Sequence, residues 1–101
     1  MGVQVIENWS SVEGSVIAVK PHPELKGYVI ATIQVLRVSP VAGYADLFSS
    51  SIGSKIEVNI QSEKAGMLGV GEEAKINLRI RKAGPTNTFA DPDSITILMN
   101  Q

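Results

Sequence analysis

Apolar and polar residues alternate along much of this chain with a period of two, not with the 3.6 of an amphipathic helix. Residues 74–82 show the alternation most clearly, with apolar side chains at Ala74, Ile76, Leu78 and Ile80. Residues 55–61 repeat it at Ile56, Val58 and Ile60. Because successive side chains of a strand leave on opposite faces, each stretch predicts a strand with one buried and one solvated face. The shared pattern indicates that both strands belong to the same face of a sheet.

Further strands are predicted on both sides of this pair. Residues 28–38 are rich in β-branched side chains and lean apolar on both faces, which is typical of a closed or strongly curled sheet. Residues 12–20 form another strand, in which Gly14 predicts a bulge or bend. Residues 94–99 are expected to be the final strand, and residues 3–6 a short edge strand.

Turn residues separate these strands. Residues 21–27, which include two prolines and Gly27, predict a hairpin between the first two strands. Residues 84–93 predict one long loop before the last strand. Two short helices are expected: residues 62–68, capped by Ser62 and stopped by a left-handed Gly69, and residues 44–51.

The order of elements, and one segment in particular, resemble known small barrels. The segment runs from Gly53-Ser54-Lys55-Ile56-Glu57-Val58 to Leu68-Gly69-Val70-Gly71-Glu72-Glu73-Ala74-Lys75-Ile76. It is similar to a strand and turn module of OB-fold and TOBE-like domains, and it covers about a quarter of the chain. The resemblance implies an all-β fold: a small five- or six-stranded closed or partly closed barrel, OB-like, with one or two very short helices. It concerns the fold and transfers no functional residue.

Composition narrows the possible functions. The 101 residues fit a single domain, 1–101, and the absence of cysteine excludes disulfides and cysteine-based metal sites. The net charge of −1 provides no overall basic field. No apolar run approaches the ~20 residues of a membrane helix, and the first six residues lack the features of a signal peptide. A cytoplasmic protein without a membrane partner is therefore expected.

No motif predicts catalysis, a cofactor or a metal. Residues 69–74 fit G-x-G-x-x-A, but a dinucleotide site requires a helix after that turn and here a strand follows. His22 is the only histidine, and no serine near it has a nucleophile-elbow pattern. Asp91 and Asp93 flank a proline, and turn-capping explains them more simply than calcium does. We therefore expect no catalytic residue, no cofactor and no metal, and a protein that is not an enzyme.

Two groups of residues remain as candidate interfaces. The outer face of the strand at 75–81 concentrates positive charge and predicts a nucleic-acid face, which consists of Lys55, Lys75, Arg79 and Arg81. A solvated sheet face with Lys–Glu pairs is its alternative. Apolar residues outside the strands predict either a partner patch or a plug in the barrel mouth; they are Trp9, Tyr44, Leu47 and Phe48.

The sequence thus favours a non-enzymatic binding or assembly module whose partner is another protein or a second copy of itself. Binding of single-stranded nucleic acid through the basic face is the first alternative. The second is a small-molecule or oxyanion site, which predicts a closed pocket lined by backbone amides near a glycine-rich turn.

Overall fold

The strands of the computed structural model, which describes residues 7–84 and 86–99, lie close to the predicted positions. They are β1 (Ser10–Pro21), β2 (Tyr28–Pro40), β3 (Lys55–Gln61), β4 (Lys75–Lys82), β5 (Thr88–Ala90) and β6 (Thr96–Met99). The helical elements are α1 (Ser62–Ala65) and two 3-10 turns (Ser49–Ser51 and Pro92–Ser94). The edge strand predicted at residues 3–6 lies outside the described residues.

Five of these strands close into a barrel. Strands β1, β2 and β3 form an antiparallel meander, β3 pairs in parallel with β5, and β5 runs antiparallel to β4. Strand β4 then pairs with β1 over Ser10↔Ile80 to Ser15↔Lys75, which completes the ring. The all-β barrel prediction is confirmed, and the closed ring fits a small OB-like barrel.

The interior is filled by the apolar positions of the period-two pattern. On β4, Ile76, Leu78 and Ile80 are 1% exposed or less, while Arg79 and Arg81 face solvent. Strands β3 and β4 both point apolar side chains inward, although β5 lies between them in the sheet order. Each fully buried aliphatic side chain contributes about 1.5–3 kcal/mol. The buried apolar residues are Val12, Val16, Ala31, Ile33, Val35, Phe48, Val58, Ile60, Ala74, Ile76, Leu78, Ile80 and Ile95.

Two irregularities bend the β1–β2 pair, and the predicted bulge at Gly14 is one of them. The pairing passes from Glu13↔Arg37 to Gly14↔Val35, so Leu36 is an extra residue on β2. Val16 and Ala18 of β1 pair with two consecutive residues of β2, so Ile17, which lies between them, is an extra residue on β1. Bulges of this kind increase local twist, which a small closed barrel requires.

The predicted long loop at 84–93 is wrong in one respect, because it contains the strand that closes the barrel. Strand β5 has only three residues between turn-forming segments, too few to show a period. Strands β5 and β6 follow one another along the same edge of β4. Between them, Asp91 N donates to Arg79 O at 2.9 Å and Arg79 N donates to Ser94 Oγ at 2.8 Å. These two bonds continue the ladder across the gap.

Both predicted helices are too long. Helix α1 ends after Ala65, its N-cap is Gln61 rather than Ser62, and Gly69 has no positive φ. Of residues 44–51, only Ser49–Ser51 is helical, as a 3-10 turn. The Asp46 carboxylate explains this second difference: its Oδ1 accepts from Ser10 Oγ at 2.6 Å and from Phe48 N at 3.0 Å. These bonds hold the segment against the start of β1.

Candidate functional site

The four basic residues singled out in the sequence do not form one patch. Lys75, Arg79 and Arg81 lie on the outer face of β4, and about 20 Å of strand separates the first from the last. Lys55 lies on β3 and shares a groove with Lys75, whereas Arg81 lines a different groove. Arg79 is exposed between these two grooves.

The groove at Arg81 brings together aromatic residues from two strands and the segment before β1. We call it the aromatic groove; its volume is about 480 Å³, and it is lined by Trp9, Tyr28, Gln61, Arg81, Phe89, Ala90, Asp91 and Pro92. The three aromatic side chains are half-buried, which leaves part of each ring accessible to a ligand.

The rings and the guanidinium contact one another in pairs. The Arg81 guanidinium carbon lies 5.9 Å from the centroid of the Trp9 ring, a cation–π geometry. The centroids of Tyr28 and Phe89 are 5.8 Å apart with the rings at 84°, an edge-to-face pair. The strand register brings the two pairs together, because Arg81 lies opposite Phe89.

The backbone around Trp9 is fixed by its neighbour Asn8. The Asn8 side chain pairs twice with the backbone of Lys82: Nδ2 donates to the carbonyl at 3.1 Å and Oδ1 accepts from the N–H at 2.8 Å. Trp9 N donates to Ala45 O at 3.2 Å. Asn8 is only 2% exposed. The indole is thereby held beside Arg81.

An adjoining groove extends the aromatic groove past Tyr28 and Gln61, which line both. It has a volume of about 410 Å³, and its other lining residues are Lys26, Gly27, Ser62 and Glu63. The combined path carries two cations, Arg81 and Lys26, and two carboxylates, Asp91 and Glu63. It therefore offers aromatic surface without net formal charge.

The apolar residues of the predicted partner patch are distributed over different environments. Phe48 is 2% exposed and belongs to the core, with Lys82 Nζ 5.4 Å from its ring centroid. Leu47 packs against that core. Tyr44 is 41% exposed. Trp9 lines the aromatic groove, so the four residues do not form one surface patch.

Other candidate residues have structural roles. His22 Nδ1 accepts from the backbone N–H of Glu24 at 3.0 Å and of Leu25 at 2.9 Å, which holds the β1–β2 turn. Asp91 Oδ1 accepts from Asp93 N at 3.0 Å and caps a 3-10 turn, as the sequence suggests. In the glycine-rich turn, Gly71 N donates to Val16 O at 2.7 Å, so this amide is not available to an anion.

Within residues 7–84 and 86–99, no cluster of three or more histidine or acidic side chains could hold a metal ion. None of the helices in those ranges has the length and apolar character needed to cross a bilayer.

Comparison with known proteins shows a partial similarity to a ribosomal protein. No family model matches the chain. It is similar to the small ribosomal subunit protein uS5 of Mycoplasma mobile, with 37% identity over 54 residues. The matched region is 54% of this chain and 22% of the length of that ribosomal protein. The similarity and the small barrel are both compatible with a binding module.

The aromatic groove is not visible in the sequence, because its residues are far apart along the chain. Trp9, Tyr28 and Phe89 meet only once β5 is recognised and its pairing with β3 at Asn59↔Phe89 is known. The local signal that could have found the groove is the short run Thr88-Phe89-Ala90 between two turns. It would have placed an aromatic residue on a strand beside the basic residues of β4.

Proposed function

We propose that this chain is a non-enzymatic module that binds single-stranded nucleic acid in the aromatic groove. The observation that carries the proposal is the convergence of Trp9, Tyr28 and Phe89 with the Arg81 guanidinium. Base stacking on an aromatic side chain contributes about 1–3 kcal/mol per base and tolerates any sequence.

The aromatic and polar side chains of the groove have separate roles in this proposal. Phe89 and Tyr28 offer ring surface to neighbouring bases, and Tyr28 lines both parts of the combined path. Arg81 is exposed, so its guanidinium can pair with a phosphate while its inner side rests on Trp9. The Gln61 amide can bond a base edge.

The similarity to uS5 supports a nucleic-acid partner. By its name, uS5 is a component of the small ribosomal subunit, an assembly of RNA and protein. Small OB-like barrels also use the outer faces of their strands to bind oligonucleotides. Both arguments support nucleic acid as the class of partner, and neither identifies a particular sequence or structure of that nucleic acid.

The charges of the groove predict a modest salt dependence. For a single strand, the logarithm of the binding constant falls linearly with the logarithm of the salt concentration, with a slope of about −0.7 per neutralised phosphate. With Arg81 and Lys26 as the cations of the path, the slope should lie between about −0.7 and −1.4. Stacking, rather than phosphate contact, would then supply most of the binding free energy.

The test uses the intrinsic fluorescence of Trp9, the single tryptophan of the chain, and the anisotropy of labelled mixed-sequence RNA and DNA oligonucleotides at low salt. Binding should quench Trp9, and Phe89→Ala should weaken affinity about 5- to 150-fold, the equivalent of one stacked base. Tyr44→Ala is the matched control, because Tyr44 is exposed and lies outside the groove. Absence of binding, or equal affinities for Phe89→Ala and the unsubstituted protein, would overturn the proposal.

The protein or second copy expected from the sequence remains the alternative partner. Sedimentation equilibrium with and without the oligonucleotide separates the two interpretations. Self-association of a chain that leaves the oligonucleotide free would favour assembly, whereas a monomer that carries it along would favour nucleic-acid binding.

A further inference from the structure

A second groove crosses the outside of the barrel at the other end of β4. We call it the lysine groove; its volume is about 580 Å³, and it is lined by Ser15, Ile17, Gln34, Leu36, Lys55, Gly71, Glu72 and Lys75. None of these residues is aromatic, so the groove offers no ring on which a base could stack.

Four of the lining residues form one transverse row. The register places Lys55 opposite Gln34, Gln34 opposite Ser15, and Ser15 opposite Lys75. Neighbouring strands are about 4.8 Å apart, so the row spans about 14 Å between the α-carbons of its two lysines. The groove therefore has a positive group at each end.

Two apolar side chains line the groove beside this row of residues. Ile17 and Leu36 are the extra residues of β1 and β2, and both line the groove instead of the core. Leu36 is 40% exposed. Each of the two follows an outward-facing residue of the same strand by two positions, Ser15 on β1 and Gln34 on β2, so the alternation of the strand directs it into the groove.

The polar side chains between the lysines already have partners. Ser15 Oγ donates to Glu72 O at 2.7 Å, and Gln34 Nε2 donates to Gly53 O at 2.9 Å. The one ion pair within 4.0 Å in the described part of the chain joins Lys64 to Asp93, so both lysines of the groove lack a carboxylate at that distance. Glu72 also lines the groove and leaves it a formal charge of +1.

We propose that the lysine groove binds an extended, acidic segment of a protein partner with the pattern acid-x-apolar-x-acid. In an extended chain, residues i, i+2 and i+4 lie on one face, and four residues span about 13 Å. Two carboxylates at that separation match the two lysines, and the apolar side chain between them would contact Ile17 and Leu36. This site is separate from the aromatic groove and does not depend on the nucleic-acid proposal.

A synthetic peptide, acetyl-Gly-Glu-Ser-Leu-Ser-Glu-Gly-amide, is the probe, and amide NMR of the whole chain is the readout. Addition should shift the amides of Ile17, Leu36 and Lys75. Lys55→Glu or Lys75→Glu should each weaken the affinity for the peptide about tenfold, because each replaces an attraction to a peptide carboxylate by a repulsion. Lys20→Glu is the matched control, since it makes the same charge change on β1 outside the groove. Glu72→Gln should strengthen binding about two- to threefold.

Two altered peptides test the pattern itself. Replacing leucine by serine, or placing both glutamates side by side, should each reduce affinity severalfold. If either altered peptide binds as tightly as the designed peptide, the proposal is overturned, because binding would then depend on charge alone and not on the acid-x-apolar-x-acid pattern. The proposal also fails if the designed peptide causes no shifts, or if oligonucleotides shift these amides and Lys75→Glu abolishes their binding. Failure of the nucleic-acid proposal would appear instead in the Phe89→Ala experiment, which does not involve this groove.

Discussion

Gly14 lies in close contact with β2 at the bend in β1, and its replacement by alanine tests this close approach directly. A Cβ at this position would lie 2.5 Å from the carbonyl oxygen of Gln34 and 2.6 Å from Ile33 Cγ2. Both distances are shorter than real Cβ contacts. Gly14 has no positive φ, so the expected cost is steric and does not come from backbone conformation.

The expected magnitude follows from what would have to move. Gln34 O belongs to the backbone of β2, which is paired with both β1 and β3. Ile33 is completely buried, so its side chain has no solvent into which to withdraw. Overpacking of this kind costs about 1–3 kcal/mol, and the loss of unfolded-state entropy returns only about 0.4–1 kcal/mol. Because neither contact atom can withdraw, the steric cost should lie near the upper end of its range, and we expect Gly14→Ala to lower the free energy of unfolding by about 2 kcal/mol net.

Urea unfolding measures this change, and Gly66→Ala is its matched control. With a slope of about 1.5 kcal/mol per molar urea, a loss of about 2 kcal/mol lowers the midpoint by about 1.3 M. Gly66 has a right-handed helical conformation (φ −61°, ψ −21°), and a Cβ added to it would meet no atom within 4 Å. Gly66→Ala should therefore stabilise the protein by about 0.4–1 kcal/mol.

The reasoning would be refuted if Gly14→Ala changed the free energy of unfolding by less than about 0.5 kcal/mol, the usual range of an ordinary surface substitution. It would also be refuted if both alanine variants stabilised the protein equally. Either result would mean that β1 does not approach β2 as closely as the register between Glu13 and Gly14 requires.

Three further substitutions test contacts that shape the barrel and its groove. Asn8→Ala leaves the N–H and carbonyl of Lys82 without their side-chain partner and should lower the free energy of unfolding in urea by about 1–3 kcal/mol. Asn87 is exposed, so the control Asn87→Ala should stay within about 0.5 kcal/mol of the unsubstituted protein, and equal effects of the two variants would contradict the pairing. Phe48→Ala should cost about 3–5 kcal/mol by the same measurement if the ring fills the core, and a change below about 1 kcal/mol would place it at the surface. Ser94→Ala removes the acceptor of the Arg79 amide, so that amide should exchange with solvent faster by NMR, and unchanged exchange would argue against the bond.

The pattern of side chains predicts elements whose evidence is local. The inward positions of β4 and the glycine at the β1 bend are both correct predictions, because alternation and the absence of a Cβ are properties of a few consecutive residues. Strand β5 escapes prediction because three residues do not establish a period. The segment at 44–51 looks helical because its sequence does not reveal that Asp46 accepts a hydrogen bond from Ser10, 36 residues earlier.

The candidate binding surfaces depend on strand register more than the strands themselves do. The sequence predicts Lys55 and Lys75 beside Arg79 and Arg81, but the transverse register sends the two lysines to one groove and Arg81 to another. A one-residue bulge changes the side of the sheet to which a side chain points. Val19 and Val38, which follow the two bulges, therefore pack against the core, although unbroken alternation would place them on the outer face.

The all-β barrel and the inward-facing residues of the longer strands can be predicted from the sequence, because burial imposes a period of two on each strand separately. How the ring closes and which side chains share a groove depend on contacts that exist only in the folded chain. Trp9, Tyr28, Arg81 and Phe89 become neighbours through pairings between β5, β4 and β3, which join segments that are distant in the chain. Such pairings are stabilised by the closed barrel as a whole, so no short stretch of residues encodes them.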